Sequence, residues 1–287
     1  MQALIRTARL KQWSKNVLVF AAPGAAGVLD NGTPLARTMI ALGCFCLAAS
    51  GTYFLNDAAD VESDRRHPTK RNRPIAAGEL SVGAARVIGA LLIASSIALS
   101  FLARWELAVT VAGYVALTTA YSLFLKHIAV VDIVAVASGF VLRAVAGATA
   151  TGVPISNWFF IVASFGSLFM VAGKRDAERR EVGADAAVRS TLGEYSDAYL
   201  AYLRSVTSGS VFVAYSIWAF EKAAEAHAST PWYQLSILPF VLGVLRYALL
   251  VDQGQGAAPE EVVLRDRALL GIGALWVVLF GLGIYTR

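Results

Sequence analysis

The chain has 287 residues, of which 57% are hydrophobic and only 16% charged, with a formal net charge of +5. Soluble domains of this length carry about a quarter charged residues, so the balance excludes that class and places the chain in a membrane. With only two cysteines, neither a disulfide framework nor a thiolate metal site organises it.

Crossing a bilayer takes about 17 to 25 apolar residues. Segments of that kind are expected near 16–29, 36–56, 84–103, 105–124, 129–150, 156–173, 205–223, 233–251 and 268–286. They predict an all-α polytopic membrane protein, a bundle of about nine transmembrane helices with a short first one, forming a single integral-membrane domain over 1–287. Arg6, Arg9, Lys11 and Lys15 precede the first apolar run. No convincing cleavage site follows, so this run reads as a retained helix rather than a signal peptide. Cys44 and Cys46 lie two apart on a predicted helix and read as core filler. His67, His127 and His227 are scattered without ligand spacing.

The second span runs directly into Asn56-Asp57-Ala58-Ala59-Asp60-Val61-Glu62-Ser63-Asp64, followed by Arg65-Arg66-His67-Pro68-Thr69-Lys70-Arg71-Asn72-Arg73-Pro74. At helical spacing Asn56, Asp60 and Asp64 fall at i, i+4 and i+8, with Asp57 one position off that line. A solvated loop is the ordinary reading of charge between spans. Three aspartates and an asparagine in register are more specific: clustered hard oxygens destabilise a helix end unless a cation absorbs them. They suit Mg²⁺, which takes one or two carboxylates and fills its shell with water and substrate phosphate. Metal ligation is therefore expected from Asn56, Asp60 and Asp64, and a catalytic role from Asp57, Asp60 and Asp64. Lys70, Arg71 and Arg73 follow as phosphate partners.

The third and fourth spans read as scaffold, joined by an interfacial Arg104-Trp105-Glu106 turn. At the end of the fourth, Tyr121 and Lys126 fit a snorkelling anchor and a phosphate contact equally well. The fifth holds Asp132 and Arg143, nearly on one face yet about 16 Å apart along the axis, too far to pair. Gly139 and Gly147 flank Arg143 at i−4 and i+4, leaving room for a neighbouring helix or a ligand. Ionisable groups in a span tend to face polar cavities, so both residues read as functional. For Arg143 a substrate phosphate is favoured over a structural acid. After the sixth span comes Gly173-Lys174-Arg175-Asp176-Ala177-Glu178-Arg179-Arg180, in which Lys174 and Glu178 share a face. Onward to Arg204, with Tyr195, Tyr199 and Tyr202 among the charges, the chain reads as an amphipathic interfacial helix. Most Lys and Arg, Arg189 included, fall on one side; Arg37, Arg104, Lys222 and Arg287 fall on the other. That asymmetry predicts a cytoplasmic N-terminus and a site on the cytoplasmic face of the inner membrane. No P-loop, Ser/His/Asp set or zinc pattern occurs.

Asn56-Asp57-x-x-Asp60-x-x-x-Asp64, the Tyr121 to Lys126 element and the charged stretch after the sixth span resemble the UbiA-type intramembrane prenyltransferase superfamily over essentially the whole chain. The run from Asn56 to Gly78, with Val130-Val131-Asp132-Ile133 and Met170-Val171-Ala172-Gly173-Lys174-Arg175, is similar to one branch of it. Members of that branch move a 5-phosphoribosyl group from phosphoribosyl pyrophosphate to a polyprenyl phosphate such as decaprenyl phosphate. The resemblance implies a nine-helix bundle, Mg²⁺, these two substrates, no nucleic acid, and leaves self-association open. It implies substrate contacts from Lys15, Lys70, Arg71, Arg73, Tyr121, Lys126, Asp132, Arg143, Lys174, Arg175 and Glu178. Where the superfamily carries a second Asp-rich motif, this chain has the more basic Lys174 to Arg180. A donor bearing a 5-phosphate as well as a diphosphate needs that direct cationic neutralisation. Two other readings compete: a prenyltransferase joining an isoprenoid diphosphate to an aromatic ring, and a transporter using Asp132 and Arg143 as a coupling pair.

Overall fold

The computed structural model describes residues 1–182, 191–226, 230–256 and 259–286. Arg189, His227 and Arg287 lie outside them. Among the described residues seven helices are long and apolar enough to cross a membrane: Gly32–Ala59, Val82–Ser100, Trp105–Leu123, Val131–Thr151, Asn157–Arg180, Trp232–Gln255 and Arg267–Tyr285. Of the nine expected spans, two fall outside this set. Residues 16–29 lie partly in a 3-10 stretch, Leu10–Phe20, and a short helix, Ala21–Ala25. Residues 205–223 lie in the 30-residue helix Asp197–Ala226. That helix is long enough to cross but carries a run of hydroxyls, Ser205, Thr207, Ser208 and Ser210, which bond back to carbonyls three or four residues earlier.

The chain resolves into two compact units. The first comprises Met1–Gly24, Val28–Leu123 and Leu142–Pro154. It begins with α1 (Gln2–Ala8), which ends at a left-handed Arg9 with φ 52°. The 3-10 stretch follows, then α2 (Gly32–Ala59), the short α3 (Val61–Arg66), α4 (Val82–Ser100) and α5 (Trp105–Leu123). Ser81 caps α4 by accepting the Ala84 amide at 3.2 Å. The core joins Val19, Phe45, Leu107, Val111 and Tyr114 with alanines of α2 and of the C-terminal part of α6 (Val131–Thr151). α2 and α4 meet backbone to backbone: a Cβ on Gly51 would lie 2.8 Å from the Gly89 carbonyl. Small residues permit such contact where no hydrophobic effect drives helices together.

The second unit comprises Ala25–Gly27, Phe124–Val141 and Ile155–Arg287. It contains the N-terminal part of α6, then α7 (Asn157–Val182), α8 (Asp197–Ala226), α9 (Ile237–Leu250), α10 (Pro259–Arg265) and α11 (Arg267–Tyr285). Its main core is aromatic, with Tyr215, Trp218 and Tyr233 buried against Phe240, Trp276 and Phe280. The polar ends of these rings are satisfied internally. Tyr215 meets Ser236 at 2.7 Å and accepts from Trp276 Nε1 at 2.7 Å. Asp266 caps α11 by accepting the Leu269 amide at 2.7 Å while its carboxylate pairs with Arg246 at 2.6 Å.

Candidate functional site

In the first unit the acidic stretch straddles the junction of α2 and α3. Asp60 sits at that junction with φ −89° and ψ 7°. The helical hydrogen bonds run through it, Asp60 N to Asn56 O at 2.9 Å and Asp64 N to Asp60 O at 2.8 Å. The side chains that come together are nevertheless not the i, i+4, i+8 set. Asp57 and Asp64, 3% and 1% exposed, both accept from Arg73 Nη1, at 3.1 and 2.7 Å. Helical geometry gives the reason: seven residues return to within about 20° of the starting direction, whereas eight overshoot to roughly 80°. Asp60 is half-buried and has no ion pair among the described residues.

Arg9 is the partner that sequence reading passed over. Its Nη2 lies 2.6 Å from Asp57 Oδ1, and its guanidinium sits 4.5 Å from the Tyr53 ring centre. The left-handed turn at Arg9 ends α1 and redirects the chain, and three contacts fix the N-terminal segment. Ser50 Oγ donates to the Ala8 carbonyl at 3.0 Å, Trp13 Nε1 donates to Ser50 at 3.1 Å, and Arg6 pairs with Glu79 at 2.9 Å. Two buried carboxylates are thus neutralised by two arginines, one from each side in sequence. Unpaired, such acids would carry a large desolvation cost.

These oxygens suit a hard cation in a particular way. Among the described residues no three His, Cys, Asp or Glu side chains converge on one point, so these residues do not form a cage of such ligands by themselves. A cation drawing one or two carboxylates from the protein and the rest from water and phosphate fits this donor set. Lys15 and Lys70 are half-buried and Arg71 is exposed, and Tyr121 is half-buried in the last turn of α5.

Arg143, in the part of α6 that belongs to the first unit, is 7% exposed. Its Nε donates to Asn16 Oδ1 at 2.8 Å and its Nη2 to the Tyr114 hydroxyl at 2.9 Å, and its carbon centre lies 4.7 Å from the Tyr114 ring centre. The sequence reading favoured a substrate phosphate because glycines open this face. At Gly147 that space is filled by the Val19 carbonyl and Pro23, so the opening serves chain packing. Arg143→Lys, which keeps the charge but loses the planar fork, is expected to lower the melting temperature without any ligand while the ligand-induced rise stays normal. Thermal melts with and without donor and Mg²⁺ check this; a normal apo melt with the ligand response lost would return Arg143 to the substrate.

In the second unit Asp132 and Arg175, expected to face substrate, are 0% and 1% exposed and bind each other. Arg175 Nε lies 3.1 Å from Asp132 Oδ2, and its Nη1 reaches Glu178 Oε2 at 2.7 Å. Lys174 Nζ sits 3.7 Å from the other Glu178 oxygen, as their spacing predicts. Tyr195 donates to Asp132 Oδ1. Lys126 is half-buried in the 3-10 turn Leu125–His127. The tyrosines noted in sequence stack, Tyr195 on Tyr199 at 5.8 Å between ring centres.

The model of the UbiA prenyltransferase family matches residues 17–270. The chain belongs to the UbiA prenyltransferase family. Two relatives match this UbiA member nearly end to end. The decaprenyl-phosphate phosphoribosyltransferase of Corynebacterium glutamicum is 45% identical over 98% of this chain and 86% of its own. The protein of the same name from Mycolicibacterium smegmatis is 41% identical over 99% and 93%. Among solved structures, a UbiA homolog from Archaeoglobus fulgidus superposes with a TM-score of 0.71 at 17% identity, covering 99% of this chain and 100% of that one. The same homolog bound to GPP and Mg²⁺ gives 0.65 at 18% identity, over 99% and 100%. These structures show a shared fold, an all-helical UbiA-type bundle; the apolar helices and the family make the chain a multi-pass membrane protein.

Proposed function

We propose that this UbiA family member transfers the 5-phosphoribosyl group of phosphoribosyl pyrophosphate to a polyprenyl phosphate such as decaprenyl phosphate. Pyrophosphate leaves, and the product serves cell-wall arabinan precursor synthesis. The observation that carries this reading is the 45% identity over 98% of the chain to a relative bearing that activity in its name. The partly exposed Lys174 after the sixth expected span supports it, because a donor with two separate phosphate groups demands cations. The positive-side asymmetry supports a site at the cytoplasmic face of the inner membrane, with the N-terminus cytoplasmic.

The reaction breaks the ribose C1–O bond to diphosphate and forms one to a lipid phosphate oxygen. Negative charge grows on the departing diphosphate and oxocarbenium character on the ribose. Mg²⁺ would be held by one or two carboxylates of this stretch, from the set Asn56, Asp60 and Asp64 or from the buried pair Asp57 and Asp64, and when bound supplies charge neutralisation for that leaving group. On the first unit Lys15, Lys70, Arg71 and Arg73 are proposed phosphate partners. On the second, Lys126 and Lys174 are phosphate-binding bases in their own right. A lipid phosphate is already ionised at neutral pH, so no strong general base is needed.

Membranes carrying the chain, given labelled phosphoribosyl pyrophosphate, Mg²⁺ and polyprenyl phosphate, should form a labelled phosphoribosyl lipid. Product appearing instead from a prenyl diphosphate and an aromatic acceptor would replace this reading with that of a prenyltransferase. Solute flux without a chemical product would point to transport.

A further inference from the structure

The second unit holds a chain of contacts whose middle, Tyr195, Asp132 and Arg175, is buried. At one end Val130, itself 47% exposed, has φ 68°, a left-handed conformation that a β-branched residue adopts only when its surroundings impose it. Its amide donates to the Tyr195 hydroxyl at 2.6 Å. That hydroxyl in turn donates to Asp132 Oδ1, so both its proton and a lone pair are used. Asp132 Oδ2 takes Arg175 Nε at 3.1 Å and lies 3.5 Å from Thr191 Oγ1. Arg175 spans from Asp132 to Glu178, which also meets Lys174. The charged end is accessible while the middle is not: the Glu178 and Lys174 side chains are 25% and 36% exposed, against 2% and 0% for Arg175 and Asp132.

We infer that Tyr195 is a positioning residue: through Asp132 and Arg175 it fixes Glu178 and Lys174 for binding of a phosphate-bearing substrate. The inference rests on the proposed phosphoribosyl transfer, and it reassigns Asp132 and Arg175 from touching substrate to orienting what does. A planar guanidinium makes the transmission rigid, since its Nε and Nη1 face two acids at a fixed separation, which a lysine cannot reproduce. The ammonium of Lys174 has three donors, so one turned to Glu178 leaves others for a phosphate oxygen. Burial and the neighbouring Asp132 carboxylate push the Tyr195 phenol above its usual range, which keeps the proton that this chain needs.

Tyr195→Phe tests the inference in the full-length protein. The ring remains to pack on Ile133, Ala137, Val171 and Leu200, and only the hydroxyl is lost. With Mg²⁺ and polyprenyl phosphate, the KM for phosphoribosyl pyrophosphate is expected to rise about tenfold, the loss of one hydrogen bond to a charged group. The kcat should stay within about twofold and the lipid KM should not move, because binding before and in the transition state weakens alike. Arg175→Lys should show the same split. Hydrogen exchange at the Val130 amide, read without turnover, should accelerate in Tyr195→Phe because its acceptor is gone. Unchanged donor KM in an active Tyr195→Phe enzyme, or a fall confined to kcat, would overturn the positioning role. Unchanged exchange at Val130 would overturn the contact chain itself. A wild-type protein that forms no phosphoribosyl lipid defeats the functional reading; faster Val130 exchange in that case still upholds the buried chain and leaves only its substrate wrong.

Discussion

Asp64→Asn is expected to lower kcat by about a thousandfold, the scale on which one preorganised electrostatic contact to a developing charge is lost. The carboxylate is 1% exposed and paired with Arg73 at 2.7 Å. Asparagine preserves its shape and an acceptor oxygen but neither its charge nor its capacity to ligate a hard cation. Stability should fall by only about 1 kcal/mol, because Arg73 keeps Asp57 at 3.1 Å and is itself partly exposed. Asp60→Asn separates the two ways of holding a cation. Asp60 is half-buried and not ion-paired among the described residues, so its loss should leave the melt unchanged. If Asp60 ligates with Asn56 and Asp64, its turnover falls as far as that of Asp64→Asn. If Asp57 and Asp64 are the working pair, Asp60→Asn keeps most activity and Asp57→Asn loses it. Rates at saturating donor and Mg²⁺, with melts of each variant, decide the matter; near-normal turnover in Asp64→Asn would remove the acidic cluster from the chemistry.

The acidic cluster was legible in sequence because its members lie within nine consecutive positions and their chemistry is unlike anything else in a span. Which of them meet was less so. Register alone ranked i+4 and i+8, whereas Arg73 collects the i+7 pair. Arg9 was invisible for a different reason: it lies 48 positions from Asp57, and its approach depends on the left-handed turn that ends α1. Tyr195 sat in view as one of three tyrosines, yet nothing local distinguishes the one whose hydroxyl reaches Asp132. The apolar spans were readable from composition, since a bilayer demands length and hydropathy. Residues 16–20 show the limit: they read as the start of a span, but they wind as the end of the 3-10 stretch Leu10–Phe20, which packs against α2. Gly147 was read as open space, because a missing side chain in sequence does not say what occupies the gap.

That gap supports the second large effect, Gly147→Ala. A Cβ at this position would lie 1.8 Å from the Val19 carbonyl oxygen, 2.9 Å from the Val19 carbonyl carbon and 2.8 Å from Pro23 Cδ. Two of these are backbone atoms, so no rotamer change relieves the overlap, and α6 or the 3-10 segment has to move. Overpacking of a tight core costs about 1 to 3 kcal/mol and sometimes more; with backbone as the obstacle, about 3 kcal/mol is expected. The displacement would not stay local. The segment that carries Val19 also carries Asn16 to Arg143, and it follows directly on Arg9, which neutralises Asp57. Gly147→Ala should therefore lower the melting temperature substantially and depress turnover as well, although the position touches none of the proposed site residues. Gly43→Ala and Gly113→Ala are the matched controls, lying in helices of the same unit with nothing within 4 Å of a built Cβ. Alanine raises helix propensity there by about 1 kcal/mol, so these variants should melt at or above the wild type. A melt of Gly147→Ala indistinguishable from theirs would show that the 3-10 segment is not held against α6 as the structure has it.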